Sequence, residues 1–260
     1  PIALWDTATP GMDTAQPMFE PTITPYSIES PSPSGCVIVC PGGGYGHRAE
    51  HEGKPVARAF NDRGISACVC DYRVAPYRHP YPLLDAQRAI RWVRSHAVEL
   101  NVDPEAVGIL GFSAGGHLAS TAGTHYGAGR SDGDEIDRQS CRPDALVLCY
   151  PVVTFGEFGH RGSIKNLLGD NPPEAFVRML SNETQVTADT PPSFLWHTAD
   201  DPGVPVENSL LFAQALSAHG VPYELHIYRS GRHGLGLAEE APHIATWIDL
   251  CADWLREVGF

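Results

Sequence analysis

An α/β fold, with a mostly parallel central sheet and helices on both faces, is what this sequence predicts. Three observations carry that expectation. Apolar, β-rich runs recur at 36–40, 65–71, 107–111, 145–150, 193–197 and 223–228, and continuous runs of this kind suit strands buried on both faces. Helix-compatible segments stand among them at 54–62, 83–99, 114–124, 206–218 and 243–258. Their alternation implies right-handed crossovers between parallel strands.

Taken in order, residues 1–35 are rich in Pro, Thr and Ser and contain one strand candidate near 22–28. They read as a wrapping arm with little core of its own. The 36–40 run ends in Pro41-Gly42-Gly43-Gly44-Tyr45, a glycine loop. Within 83–99, Ala86, Ala89, Ile90, Val93 and Ala97 recur at spacings of three and four and give a helix one apolar stripe. The 107–111 run leads through Gly111-Phe112-Ser113-Ala114-Gly115 into the next helix. Residues 126–144 are polar and read as an exposed loop, whereas 152–192 is an insertion between two strands, long enough to form part of a substrate pocket or lid. Trp92 and Trp196 fall inside a helix and a strand, where core packing is expected. With 260 residues, 42% of them hydrophobic, and no composition break, 1–260 is read as a single domain.

A formal charge of −13 without any basic cluster repels nucleic acid and anionic membranes, so neither is expected as a partner. No stretch approaches the ~18 apolar residues of a membrane span, and the first 30 residues lack a signal pattern. Seven cysteines, among them Cys36, Cys40, Cys68 and Cys70 inside apolar runs, suit buried reduced thiols and a cytoplasmic location, with a secreted or periplasmic one if a leader has been removed.

The chemistry centres on Gly111-Phe112-Ser113-Ala114-Gly115. A G-x-S-x-G set between a strand and a helix places its serine on a sharp turn, where flanking glycines relieve crowding. A serine hydroxyl needs a base, a carboxylate to orient that base, and donors for the developing oxyanion. His233, in Ser230-Gly231-Arg232-His233-Gly234 directly after the 223–228 run, is the candidate base. The pair Asp200-Asp201, after the 193–197 run, supplies the acid. Backbone N–H groups of the glycine loop and of Ala114 would form the oxyanion hole. The chain order Ser, Asp, His is the one expected of α/β-hydrolases.

Other motifs carry less. His47-Arg48-Ala49-Glu50-His51 fits H-x-x-E-H, but a chain leaving a glycine loop is poorly placed to form the regular helix a zinc site needs. His47, Glu50 or His51 instead suits the rim of a pocket for a polar substrate, and Tyr45, His47 and His51 are taken as candidate substrate contacts. Gly42 to Gly46 lacks the spacing of a dinucleotide loop. Asn182-Glu183-Thr184 is a glycosylation sequon, which without a secretion signal carries no inference.

Together, Pro41-Gly42-Gly43-Gly44-Tyr45, Asp71-Tyr72-Arg73-Val74-Ala75-Pro76, Asp85, Asp103-Pro104, Gly111 to Ala119, His197 through Asp201-Pro202-Gly203-Val204-Pro205, and Arg232-His233-Gly234 resemble the α/β-hydrolase esterase/lipase group related to hormone-sensitive lipase. Within it, the chain is most similar to small bacterial carbohydrate acetyl esterases (acetyl xylan esterase-like proteins), over about residues 35–258. The resemblance implies an α/β-hydrolase fold and selects Asp201, which matches D-x-x-V-P, over Asp200. It implies Gly43, Gly44 and Ala114 as oxyanion donors, no cofactor, no metal, and acetylated sugars as substrate. Pro41 replaces the histidine that opens the family's H-G-G-G, and the region before it is short for an N-terminal cap. Both departures favour the carbohydrate branch over long-chain lipases. The alternatives are a prolyl-oligopeptidase-like peptidase, a feruloyl or general short-chain carboxylesterase, and a binding module without catalysis.

Overall fold

In the computed structural model, which describes residues 1–5, 9–12 and 19–260, eight strands join in one sheet. They are β1 Ile2–Ala3, β2 Thr22–Tyr26, β3 Ser34–Cys40, β4 Ser66–Asp71, β5 Val102–Phe112, β6 Leu146–Cys149, β7 Ser193–Thr198 and β8 Tyr223–Tyr228, in the spatial order β1-β2-β4-β3-β5-β6-β7-β8. Strands β3 to β8 pair in parallel, and β2 and β1 add antiparallel at one edge. Parallel neighbours need long crossovers. Most of these carry helices: α1 Lys54–Asn61, α2 Tyr81–Ser95, α3 Ala97–Leu100, α4 Ala114–Thr124, α5 Arg161–Leu168, α6 Glu174–Met179 and α7 Glu207–Ala218, with α8 Pro242–Ala245 and α9 Trp247–Glu257 after the last strand.

The centre of the sheet, β3 to β7, is buried on both faces, which is why these strands contain unbroken apolar runs. Along β3, Cys36, Ile38 and Cys40 enter one core with Ile90 and Val93 of α2, Leu118 of α4 and Phe212 of α7. Val37 and Val39 enter the other with Phe60 of α1 and Trp247 and Leu255 of α9. All six expected strands are present, and the α/β reading holds. The seven cysteines are free and buried. Among the described residues no helix is long and apolar enough to cross a membrane.

Two expectations need correction in detail. The helix expected over 83–99 breaks at His96, which leaves helical geometry (φ −106°, ψ 17°) while its ring stacks on Trp92 and its Nδ1–H donates to the Trp92 carbonyl (2.8 Å). The arm does enter the core: Leu4 and Ile23 are fully buried. It is also tied by polar groups, since Trp5 Nε1–H donates to Asp85 (3.1 Å), itself in a fully buried two-point pair with Arg73. Residues 126–144 do form a largely exposed loop, and polar contacts pin it to α2. Arg88, Arg91 and Arg94, one per turn of α2, bind Asp134 and Asp137, the Gln139 carbonyl, and Asp144, while Ile136 and Cys141 are buried.

Candidate active site

Ser113 stands between the end of β5 and the start of α4 with φ 52° and ψ −117°. A residue with a side chain rarely adopts this conformation, which costs on the order of 1–3 kcal/mol. Backbone bonds hold it there: Ser113 N–H donates to the Cys149 carbonyl (3.0 Å), and its own carbonyl accepts from His117 (3.1 Å) and Val152 (2.9 Å). The turn is so close that a Cβ on Gly111 would lie 1.9 Å from the Gly115 carbonyl oxygen, and one on Gly115 would lie 2.1 Å from that of Cys40. Only glycine fits either position.

The Ser113 hydroxyl donates to His233 Nε2 at 2.7 Å, and His233 Nδ1–H donates to Asp201 Oδ2 at 2.7 Å. These three residues come from the ends of β5, β7 and β8, brought together at one edge of the sheet. Asp201 is held rigidly, because Oδ1 accepts the N–H groups of Gly203 (2.8 Å) and Val204 (2.9 Å). His197, fully buried at the end of β7, donates Nε2–H to the Val204 carbonyl and lies 3.5 Å from Asp201 Oδ2. Burial works against the Asp201 carboxylate, but hydrogen bonds from His197, His233 and Val204 outweigh it and hold the group below the usual carboxylate range. Asp200 points elsewhere. It accepts from Ser230 Oγ–H (2.6 Å) and Gly231 N–H (2.9 Å), and so fixes the loop that carries His233.

Among the described residues, no protein acceptor meets the N–H groups of Gly43, Gly44 or Ala114. The Gly42 N–H differs: it donates to Glu52 Oε2 at 2.7 Å. The loop turns through positive φ at Gly43, Gly44 and Tyr45. Tyr45 is a correction to the expected substrate contacts, since it is only 1% exposed and its hydroxyl donates to His117 Nδ1 at 2.8 Å. His117 in turn donates Nε2–H to the Leu180 carbonyl (2.8 Å), and burial holds its pKa down to about 3, so it is a neutral post beneath the loop. His47 is exposed beside Gly43. His51 is also exposed, and its Nε2–H donates to the Gly234 carbonyl at 3.0 Å. Between them the backbone forms one short 3-10 turn, Glu50–Glu52. The sequon residue Asn182 is fully buried, donating to Ser120 and Thr121 of α4.

Sequence reading missed a node beneath the site. Buried Glu52 accepts from Gly42 N–H and, at 2.6 Å, from the Tyr150 hydroxyl, which itself accepts from Gly236 N–H at 2.8 Å. The Tyr150 ring meets that of His233 edge-on, with centroids 5.1 Å apart. Burial and the neighbouring Glu52 push the Tyr150 pKa up, so the phenol remains a donor. Glu52 thus joins the glycine loop to the histidine loop. Only the distance in sequence hid it: nothing local marks Glu52 and Tyr150 as partners. Glu52→Ala leaves two buried donors unpaired at about 1–3 kcal/mol each. A melting temperature lowered by several degrees, with slower turnover of p-nitrophenyl acetate, is the expected result of a thermal scan and an esterase assay.

Comparison with known proteins follows the same lines. The BD-FAE family matches residues 24–216. The chain is 38% identical over 226 residues to endo-1,4-beta-xylanase B of Butyrivibrio fibrisolvens, covering 85% of this chain and 36% of that protein. It is 32% identical over 234 residues to acetylxylan esterase of Xylanibacter ruminicola, covering 87% and 46%. The chain thus spans less than half the length of either relative. Among solved structures, an acetyl ester-xyloside bifunctional hydrolase from Caldicellulosiruptor lactoaceticus superposes with a TM-score of 0.97 at 55% identity, covering 100% of this chain and 96% of that one. The carboxylesterase Cest-2923 from Lactobacillus plantarum superposes with a TM-score of 0.78 at 27% identity, covering 95% and 96%.

Proposed function

This chain belongs to the BD-FAE family, and from that membership we propose that it is a serine esterase removing acetyl groups from carbohydrates through an acyl-enzyme. One observation carries the mechanism: the unbroken run of 2.7 Å hydrogen bonds from Asp201 through His233 to Ser113. The substrate class is supported by the acetylxylan esterase and the acetyl ester-xyloside hydrolase that the chain resembles.

In this reading His233 Nε2 takes the Ser113 proton as Oγ attacks the acetyl carbonyl carbon. Asp201 holds the proton on Nδ1, so that Nε2 is the acceptor, and stabilises the imidazolium that forms. The carbonyl oxygen becomes an alkoxide facing the N–H groups of Gly43, Gly44 and Ala114. The tetrahedral species collapses, the C–O bond to the sugar breaks, and His233 returns its proton to the leaving oxygen. Water then attacks the acetyl-serine, giving its proton to His233, and acetate leaves as Ser113 is reprotonated.

A substrate panel tests the reading. Purified protein is expected to turn over p-nitrophenyl acetate faster than butyrate and octanoate, to release acetate from acetylated xylo-oligosaccharide, and to leave peptidyl amides intact. Preference for octanoate or for feruloyl esters would overturn the acetyl-carbohydrate assignment.

A further inference from the structure

The insertion over 152–192 brings a second histidine to the site, one that the mechanism leaves unused. His160 is the N-cap of α5, where its Nδ1 accepts the Ser163 N–H (3.2 Å) and lies 2.8 Å from the Ser163 hydroxyl. An Nδ1 that accepts an N–H bears no proton, so the neutral ring carries its hydrogen on Nε2. That Nε2–H has no acceptor among the described residues, and it is absent from the polar atoms that are sealed from solvent without a partner.

The ring stands against the glycine loop. A Cβ built on Gly44 would lie 3.8 Å from His160 Cε1. Further along the same helix, Asn166 Nδ2 donates to the Gly44 carbonyl at 2.8 Å, so α5 is fastened to the loop that His160 overlooks. His160 also lies within electrostatic reach of His233 and Asp201: burial lowers its pKa, His233 lowers it further, and Asp201 opposes them. The ring is therefore a neutral donor fixed against the glycine loop, with an Nε2–H that no described residue accepts.

We infer that His160 is a substrate-recognition residue whose Nε2–H donates to a hydroxyl or ring oxygen of the acetylated sugar unit, next to the ester held at Ser113. This deepens the proposed function and rests on it. An acetylated glycan offers such an oxygen beside the ester. The p-nitrophenyl ring has none in that place.

Two variants separate recognition from support of the helix. His160→Asn places an amide oxygen where Nδ1 sits, keeps the cap and loses the reaching donor; His160→Gln places an amide nitrogen near Nε2 and gives up the cap. Acetate release from acetylated xylo-oligosaccharide and hydrolysis of p-nitrophenyl acetate are measured for both, beside melting temperatures. The expected result for His160→Asn is a roughly tenfold lower kcat/KM on the oligosaccharide, the value of one lost hydrogen bond, with a clearly smaller loss on p-nitrophenyl acetate. His160→Gln recovers part of the oligosaccharide activity despite a lower melting temperature. Equal losses on both substrates, or no loss on either, overturn the inference, as does an impaired His160→Gln beside an unimpaired His160→Asn, the pattern of a purely structural cap. Wild-type protein that hydrolyses p-nitrophenyl acetate but not the oligosaccharide overturns the substrate reading itself.

Discussion

Ser113→Ala lowers turnover of p-nitrophenyl acetate by about six orders of magnitude, the scale on which removal of a triad serine acts, and leaves the fold in place. The fold survives because everything that holds residue 113 is backbone: its N–H on Cys149 and its carbonyl between His117 and Val152. Alanine keeps those three bonds and the same strained φ, so the elbow has no reason to relax. The side chain itself touches the reaction alone, through the single bond to His233. Rates with this variant are expected to settle above those in buffer, because in the proposed mechanism the N–H groups of the glycine loop would still meet the ester. Undiminished turnover would sink the acyl-enzyme mechanism.

Asp201→Asn is the second large effect, a fall in kcat of about four orders of magnitude, the scale seen when a triad acid becomes an amide. Asparagine Oδ1 can still accept from Gly203 and Val204, so the loop keeps its shape. The amide nitrogen then occupies the place of Oδ2 and donates toward His233 Nδ1. That forces the imidazole proton onto Nε2, where it confronts the Ser113 hydroxyl instead of accepting from it. The wild-type carboxylate also carries a pH signature. Its pKa in the folded protein lies below the unfolded value near 4, so its stabilising contribution is complete above that value and is lost as the pH falls below it. An acid titration followed by circular dichroism should show the variant losing less stability than wild type in this window; equal losses would remove Asp201 from the acid-sensitive groups.

How much of this was legible follows from how far each cause lies along the chain. Strands β3 to β7 announce themselves because both faces are buried over their apolar runs, whereas β8, at the sheet edge, is only partly buried. The Ser113 elbow, His233 and Asp201 are legible for a similar reason, each following directly on a strand end. Asp201 and Asp200 were distinguishable only by resemblance, and their surroundings explain why: both lie in the same short loop, and only contact with His233 or Ser230 separates them. Tyr45 turns inward to a partner, His117, that is 72 residues away, and nothing beside it in the chain marks that pairing. The polar run 126–144 is an exposed loop as its composition suggests, but the three arginines of α2 that pin it are far along the chain and leave no local mark. Glu52 and His160 were silent, one paired with Tyr150 98 positions on, the other defined by a helix cap inside an insertion without a regular pattern.

The Glu52–Tyr150 node has a consequence for anyone recombining this fold. The glycine loop and the histidine loop lie at opposite ends of the chain, and either looks like a cassette that could be exchanged with a relative's. With Glu52 bound to Gly42 on one side and to Tyr150, hence Gly236, on the other, neither cassette is independent. The unit of exchange is discontinuous: residues 41–52, Tyr150 and the 230–236 loop travel together, and a chimera that transplants one segment without the other two inherits a buried carboxylate facing the wrong donors.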